Sequence, residues 1–342
     1  MTLSIDLSRQ LDLCSICPGM CRNTCPVHLQ ESRESATPSF LNRMHRKNSE
    51  GSIEREIYEK IITYCVDCGN CTEVCNHGIQ TGYLMSLWRS AGKTVITRKS
   101  NSRDVLNSYY KLPSRLFSVS SINVIFPGSQ TMRVNPSVVP SFFNILDLLG
   151  VSGYSLLETD NITSGYEYWI SGDYDNFSKI EKINLRIFGN FKKIVFLDPT
   201  DIHVFKNLYK SKDWEKVDLI FWTDLIDTDF YANLMDNYSG PSVKWFESCI
   251  LRNRLHVESI GNLTRLSQFE KIEEKLCCGG HGIFTGTEEK IIESMCIGIG
   301  EQAGSDIILT VCPSCKAELE KNQHSRVINY IDWISELSRV KP

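Results

Sequence analysis

The stretch CVDCGNCTEVC, residues 65–75, decides how the amino-terminal part of this chain folds. It places four cysteines within a short turn, namely Cys65, Cys68, Cys71 and Cys75. A C-x2-C-x2-C turn can wrap three thiolates around one corner of a cubane iron–sulfur cluster, while a more distant cysteine supplies the fourth. The stretch therefore predicts a turn shaped by a bound inorganic core.

A second cysteine block, CSICPGMCRNTC at residues 14–25, precedes this one and has one extra residue between its second and third cysteines. In two-cluster ferredoxins the fourth cysteine of one run serves the other cluster. We therefore assign one [4Fe–4S] cluster to Cys14, Cys17, Cys21 and Cys75, and the other to Cys65, Cys68, Cys71 and Cys25. The alternative is zinc, whose sites generally split into two separated C-x2-C pairs.

The residues around both blocks have helical patterns. SIEREIYEKIITY (52–64) carries isoleucines at helical spacing, and TGYLMSLWRSAGK (81–93) also reads as a helix. We predict an all-helical two-cluster ferredoxin domain over residues 1–95. Residues 96–120 are predicted as a basic linker. The lysine- and arginine-rich stretch from Arg89 to Arg115 is either a solvated connector or a docking strip for an acidic partner.

Fourteen cysteines in a chain of 342 residues are unevenly placed, with eight before residue 76 and six from residue 249 onward. We expect a cytoplasmic protein, because no export signal or membrane-length apolar run is visible, and cysteines there indicate metal or redox chemistry. The net charge of −4 gives no indication of nucleic-acid binding.

The second half of the chain contains a weak internal duplication, with residues 121–240 corresponding to residues 241–342. Apolar β-branched runs such as INVIF (122–126), KIVFL (193–197) and DIILTV (306–311) alternate with helical patterns in each copy. Each copy is therefore predicted to be an α/β domain with a parallel sheet and a site at the carboxyl ends of its strands.

The cysteines of the later copy align with oxygen-bearing residues in the earlier one. Ser129 aligns with Cys249, Thr163 and Ser164 align with Cys277 and Cys278, and Asp198 and Asp201 align with Cys312 and Cys315. We predict that the first copy is a structural half without a metal site. A hard-cation site at Asp198 and Asp201 is the alternative, although it would need more oxygen ligands.

The later copy contains KLCCGGHG, residues 275–282, in which Cys277 and Cys278 are too close along the chain for a relaxed disulfide. Adjacent thiolates can hold two irons of one cluster, and five thiolates exceed what tetrahedral zinc accepts. We predict one metal site formed by Cys249, Cys277, Cys278, Cys312 and Cys315. Zinc held by four of the five is the alternative, and Cys296 is predicted to be a buried packing residue.

The ferredoxin motifs together with CCGG (277–280) and CPSC (312–315) resemble the iron–sulfur subunits of heterodisulfide reductases and of glycolate, lactate or glycerol-3-phosphate dehydrogenase complexes. The resemblance implies a helical ferredoxin followed by two tandem cysteine-rich (CCG) domains, the first lacking its cysteines. It also implies that the five-cysteine set holds a noncubane [4Fe–4S] cluster, and that the subunit relays electrons from a flavin towards a quinone.

Three functions are compatible with these patterns. The leading hypothesis is an electron-transfer subunit between a flavoprotein dehydrogenase and a quinone or other acceptor, docked peripherally at the inner face of the membrane through a partner or membrane subunit. The second is disulfide reduction at the CCG site, with Cys277, Cys278 and His281 as candidate catalytic residues. The third is a zinc-bound scaffold, which metal analysis would distinguish from the other two.

Overall fold

A computed structural model describes residues 7–92, 102–118, 121–226, 228–257, 269–272, 276–281, 289–304, 306–322 and 326–339. The α-helices are α1 (Leu7–Ile16), α2 (Pro26–Glu31), α3 (Pro38–Ser49), α4 (Arg55–Ile61), α5 (Asn70–Glu73), α6 (Thr81–Gly92), α7 (Ser102–Tyr110), α8 (Ser129–Val134), α9 (Val138–Leu148), α10 (Tyr166–Ser171), α11 (Tyr174–Phe188), α12 (Pro199–His203), α13 (Thr228–Asp236), α14 (Glu289–Ala303), α15 (Pro313–Asn322) and α16 (Tyr330–Arg339). The strands are β1 (Asn123–Phe126), β2 (Tyr154–Ser155), β3 (Lys193–Phe196), β4 (Asp218–Phe221), β5 (Val243–Trp245), β6 (Phe269–Lys271), β7 (Ile307–Thr310) and β8 (Val327–Asn329).

The amino-terminal region is helical, as the sequence predicted, and its helices α1 to α6 surround the two cysteine blocks. Helix α3 begins after Thr37, whose hydroxyl accepts a hydrogen bond from the amide of Phe40, with Pro38 at the first helical position. The predicted helix over residues 52–64 is shorter, because α4 ends at Ile61 and a 3-10 turn continues to Tyr64. Cys65 follows that turn directly.

After the helical region, the described residues form two four-stranded parallel sheets with the same topology, which confirms the predicted fold class. Their strand orders are β2-β1-β3-β4 and β6-β5-β7-β8. In the second sheet Val243 pairs with Ile307 and Trp245 pairs with Leu309. Strand β6 lies on one side of β5, and β7 and β8 lie on the other side. The connections that leave β5 and β7 therefore run in opposite directions, and a crevice opens at the carboxyl ends of these two strands. Such crevices are the usual ligand sites of open α/β sheets.

The segment predicted as a linker, residues 96–120, is part of the packed structure over residues 102–118. Helix α7 buries Val105 and Tyr109 in the core of the first α/β region, and the Tyr109 hydroxyl donates to the Leu157 carbonyl at 2.6 Å. Phe117 forms a parallel bridge with Leu156. The linker prediction is therefore wrong here, because apolar side chains at helical spacing outweigh the basic composition. Residues 96–101 of that prediction lie outside the described residues.

Arg89, at the start of the predicted basic stretch, is also buried and structural. Its guanidinium donates to the carbonyls of Ile62, Cys65 and Ile170 at 2.8 Å, and only 2% of the residue is exposed. A fully buried cation is tolerated when carbonyl oxygens satisfy its donors. Arg89 thus joins the cysteine turn at Cys65 to helix α10 of the first α/β region and is not available for a partner.

The two sheets share a continuous apolar core. Trp222 of the first α/β region packs on Tyr330 of the second with ring centroids 5.9 Å apart, and helix α16 lies against helix α9. The Asn135 side chain also donates to the Asp332 carboxylate at 2.7 Å. The predicted boundary at residues 240 and 241 therefore separates two repeats that bury surface against each other.

Candidate metal centre

The eight amino-terminal cysteines gather around two cavities. Helix α1 and the turns before α2 and after α5 bring four of them to the first cavity, which is lined by Cys14, Cys17, Cys21 and Cys75. The second cavity is lined by Cys25, Cys65, Cys68 and Cys71. The sequence predicted this grouping, and four convergent thiols are the donor set that a [4Fe–4S] cluster requires. Cys71 also reaches the wall of the first cavity, so the two sites are neighbours.

Backbone and amide groups are placed around these sulfurs. The Asn42 side-chain amide donates to Cys14 Sγ at 2.9 Å, and the backbone amide of Ile79 donates to Cys75 Sγ at 3.4 Å. Hydrogen bonds to cluster sulfurs stabilise the reduced, more negative form and so help to set the reduction potential. Asn42 was not identified from the sequence, where it is one polar residue within a helical pattern.

Burial raises the pKa of several of these thiols. The pKa of Cys14 rises to about 11 and that of Cys25 to about 12, in each case because burial disfavours the thiolate and neighbouring cysteine thiolates add repulsion. The pKa of Cys65 also rises to about 11 through burial. Without a cluster these side chains are therefore neutral at physiological pH, and cluster binding must displace their protons.

The apo-protein should consequently acquire clusters more readily as pH rises. Because the raised thiol pKa values keep the ligands protonated, reconstitution with Fe²⁺ and sulfide should release protons and give higher yields at about pH 9 than at about pH 6. Visible absorbance after anaerobic reconstitution measures the yield, and calorimetry in buffers of different ionisation enthalpy measures the protons. A yield independent of pH would contradict this assignment of neutral thiols.

The five cysteines of the second α/β region converge at the crevice between β5 and β7. Cys249 follows β5, Cys312 follows β7, Cys277 and Cys278 follow β6, and Cys315 lies in the first turn of α15. All five are at least 95% buried. The sulfurs of Cys278 and Cys315 lie 3.3 Å apart, and Cys277 is hydrogen-bonded to both Cys249 and Cys278. These thiols provide a sulfur-rich donor set of the kind that a cluster or zinc would use.

The glycines after the doubled cysteine shape this loop. Gly279 has a φ of 72°, a region that favours glycine, and its amide donates to Cys277 Sγ at 3.4 Å. The amide of Gly280 donates to Cys278 Sγ at the same distance. Cys296 is buried in α14 with its sulfur 3.6 Å from the Cys278 carbonyl oxygen, as expected of a packing residue beside the loop.

Within the described ranges, no three His, Cys, Asp or Glu side chains are arranged to hold a single metal ion.

The five-cysteine site touches the second ferredoxin cavity. The side chains of Cys68 and Cys277 interact, and this interaction is the main cause that lowers the pKa of Cys68. Cys68 is a predicted ligand of a cubane cluster and Cys277 is a predicted ligand of the third site. The two predicted sites are therefore neighbours, a closeness that sequence separation could not reveal.

A π-helical turn, Leu251–Leu255, holds the two sites together. Asn253 donates to the Cys68 carbonyl at 2.6 Å and to Asn70 Oδ1 at 2.7 Å, and Arg252 also donates to Asn70 Oδ1 at 2.7 Å. Three consecutive side chains of this turn reach the 67–70 loop, and π turns are frequent at functional sites. Arg252 follows Cys249 closely in the sequence, yet its side chain lies against the ferredoxin loop.

Asp67 is the centre of a buried three-residue bridge that the sequence did not indicate. Arg254 Nη2 lies 2.5 Å from Asp67 Oδ1, and the Tyr166 hydroxyl donates to Asp67 Oδ2 at 2.6 Å. Burial alone would lower the pKa of Arg254, but the Asp67 carboxylate raises it above its usual range. The ferredoxin loop, the first α/β region and the second α/β region each contribute one residue to this bridge.

Gly82 makes room for the bridge, and an alanine there should destabilise the protein. An added Cβ would lie 1.7 Å from Asp67 Oδ1 and 2.9 Å from Arg254 Nη2. We expect Gly82→Ala to lower the free energy of unfolding by about 1–3 kcal/mol, measured by anaerobic denaturant titration. Gly298→Ala is the control, since its Cβ would meet only the end of the Gln30 side chain. A loss of similar size in both variants would contradict the role given to Gly82.

The first copy presents oxygen-bearing residues to the third site. Thr200 Oγ1 lies 3.2 Å from His281 Nε2, which in turn lies 3.8 Å from Cys312 Sγ. Burial would lower the pKa of His281, but its hydrogen bond with Cys312 and the nearby thiolates raise it to about 10. The pKa of Asp198 rises to about 7, mainly through burial and then through the Cys312 thiolate. His281 therefore lies between the two repeats and beside the predicted cysteine ligands.

Within the described part of the chain, the helices are too short or too polar to cross a membrane.

Comparisons with known proteins agree with this architecture. The family pattern of the 4Fe-4S dicluster domain matches residues 10–79, and that of the cysteine-rich domain matches residues 243–320. Residues 10–79 are thus similar to the 4Fe-4S dicluster domain and residues 243–320 to the cysteine-rich (CCG) domain, and the chain resembles iron–sulfur proteins in both regions.

The chain is also similar in sequence to two individual proteins. It is 24% identical over 331 residues to an uncharacterized iron–sulfur protein of Methanococcus maripaludis, covering 86% of this chain and 65% of that protein. It thus spans slightly less than two thirds of that relative's length. It is 21% identical over 394 aligned positions to the probable glycolate oxidase iron–sulfur subunit of Bacillus subtilis, covering 88% of this chain and 87% of that subunit. No solved structure matches the chain.

Proposed function

We propose that this chain is the electron-transfer subunit of an oxidoreductase complex, and that it works between a flavoprotein dehydrogenase and a quinone or another acceptor. The dehydrogenase would be of the 2-hydroxy acid type, as the name of the Bacillus subtilis relative suggests, or of the glycerol-3-phosphate type, as the resemblance of the cysteine motifs implies. Bound iron–sulfur clusters would supply one-electron transfer at three neighbouring positions. The contact between Cys68 and Cys277 is the observation that carries this proposal.

The chain's own residues would hold these positions at fixed separations. Cys14, Cys17, Cys21 and Cys75 would hold one cubane cluster, and Cys25, Cys65, Cys68 and Cys71 would hold the second. The π-helical turn and the Asp67 bridge clamp the second position to the five-cysteine site. Buried, hydrogen-bonded supports of this kind keep sites within the narrow tolerance that function requires.

The surroundings of the five-cysteine site favour a relay over disulfide reduction. In the heterodisulfide reductases that the chain resembles, disulfide reduction uses two adjacent cluster sites. Here Asp198 and Thr200 of the first repeat, and not a second set of cysteines, lie beside the five-cysteine site. Cys277, Cys278 and His281 are at least partly enclosed, and the two cysteines are almost completely buried. Disulfide reduction therefore stays the less supported hypothesis.

Anaerobic purification followed by iron and sulfide analysis tests the proposal. Three four-iron clusters predict about twelve irons per chain with matching acid-labile sulfide, and two predict about eight. Stepwise reduction followed by EPR spectroscopy should then show magnetic coupling between the second cubane position and the third. Zinc as the sole metal would overturn the proposal, and eight irons with zinc at the third site would remove the third position from the relay.

A further inference from the structure

A large groove opens where the first α/β region meets the ferredoxin region. It has a volume of about 1370 Å³ and is lined mainly by residues between 205 and 219, together with Gln80, Tyr83 and Trp169. The rings of Tyr83 and Trp169 stack with centroids 5.4 Å apart. The groove is therefore a concave surface shared by two structural regions, and two of its aromatic lining residues pack on each other.

The rim of this groove is positively charged. Among the described residues, five lysines line the groove, namely Lys192, Lys206, Lys210, Lys212 and Lys216, and the acidic residues that line it are Glu215 and Asp218. Lys216 pairs with Asp213, and Asp218 pairs with Lys193. The other four lysines are exposed, and no carboxylate among the described residues lies within ion-pair distance of their side chains. This local excess of positive charge contrasts with the chain's net charge of −4.

The groove also lies beside the predicted clusters. Gln80 and Tyr83 line the groove, and Thr81, between them in the sequence, lines both cluster cavities. A protein seated in the groove would thus be separated from the two cubane positions by the first turn of α6. Short-range electron transfer requires this kind of proximity, and electrostatic complementarity speeds the encounter that precedes it.

We propose that the groove is the docking surface for an acidic face of the protein that exchanges electrons with this subunit. The inference rests on the proposed function and adds the position and charge of the contact. A concave shape suits a protruding protein surface better than a flat membrane, and four unpaired lysines would attract carboxylates at long range. The predicted basic docking strip was assigned to the neighbouring segment, where Arg89 is buried.

The test compares two variants that each remove four positive charges. The groove variant carries Lys192→Gln, Lys206→Gln, Lys210→Gln and Lys212→Gln, and the control variant carries Lys47→Gln, Lys60→Gln, Lys290→Gln and Lys321→Gln at exposed positions elsewhere. The probe is flavodoxin, a small acidic flavoprotein. Calorimetry of the cluster-loaded protein gives its Kd, and stopped-flow absorbance gives the rate of cluster reduction by its hydroquinone, each at several salt concentrations.

For the unaltered protein and the control variant we expect a Kd and a rate that weaken with salt. For the groove variant we expect a Kd roughly tenfold weaker, a rate roughly tenfold slower, and a flatter salt dependence. Equal losses in both variants, or no loss in either, would overturn the inference. Groove-dependent sedimentation with phosphatidylglycerol vesicles, without an effect on flavodoxin, would overturn it in favour of a membrane.

Reduction by photoreduced deazariboflavin separates this inference from the proposed function. This small neutral reductant needs no protein docking, so it should bleach the clusters of all three proteins at the same rate. If it does so, and the Kd and the rate of reduction by flavodoxin are the same for the groove variant as for the unaltered protein, only the docking inference is wrong. If it bleaches none of them because no cluster is present, the proposed function itself fails.

Discussion

Replacing Cys68 with alanine should remove about four irons per chain and stop electron delivery to the five-cysteine site. Cys68 is a predicted ligand of the second cubane cluster, and its side chain interacts with Cys277 of the third site. Loss of this one thiol would therefore remove both a predicted ligand and a direct interaction between the two positions. The first position, whose predicted ligands line the other cavity, should remain reducible.

Iron analysis and EPR spectroscopy of anaerobic protein would measure both effects. Cys296→Ala is the matched control, because Cys296 is also a buried cysteine and contacts the Cys278 carbonyl beside the third site, but it is not a predicted ligand. The Cys296→Ala protein should keep its full iron content and the EPR signals of all three predicted cluster positions. A Cys68→Ala protein with unchanged iron, or a Cys296→Ala protein with the same loss, would refute the ligand assignment.

Arg254→Ala should cost about 3–5 kcal/mol of unfolding free energy, because it leaves the buried Asp67 carboxylate without its cation. The two side chains are 11% and 6% exposed, so water cannot replace the lost partner well. The hydrogen bond from Tyr166 would remain but carries no full charge. Since Asp67 lies between Cys65 and Cys68, the same change should also broaden the EPR signal of the second cubane position.

Denaturant titration of the cluster-loaded protein measures the stability change. Arg22→Ala is the control, since the Arg22–Glu34 pair is exposed and should contribute at most about 1 kcal/mol. The double variant Asp67→Asn with Arg254→Ala should recover part of the loss, because it removes the unpaired charge. Equal costs for Arg22→Ala and Arg254→Ala would show that the buried bridge does not clamp the two sites.

The cysteine spacing predicted how the ferredoxin thiols group. In that prediction Cys75 and Cys25 each serve the cluster of the other run, as in two-cluster ferredoxins, and the two cavities bring the same sets together, with Cys71 lining both. The strands were also readable, because runs such as those of β1, β3 and β7 are buried on both faces and therefore continuously apolar.

The prediction failed where charge was used to infer exposure. Arg89 belongs to a basic run, yet three carbonyls from two regions surround its guanidinium. Val105 and Tyr109 stand in the same run and enter the core of the first α/β region. Composition averages over neighbouring residues, whereas burial depends on which side of a helix each residue occupies.

The sequence by itself determined which side chains are available to hold iron–sulfur clusters, because the number, type and spacing of thiols limit which inorganic cores a short turn can hold. Only the tertiary structure decided how the sites are connected. The contact between Cys68 and Cys277, the bridge centred on Asp67 and the lysine groove all join residues that are far apart in the chain. Such contacts depend on how packed regions orient against one another, and no local pattern encodes that orientation.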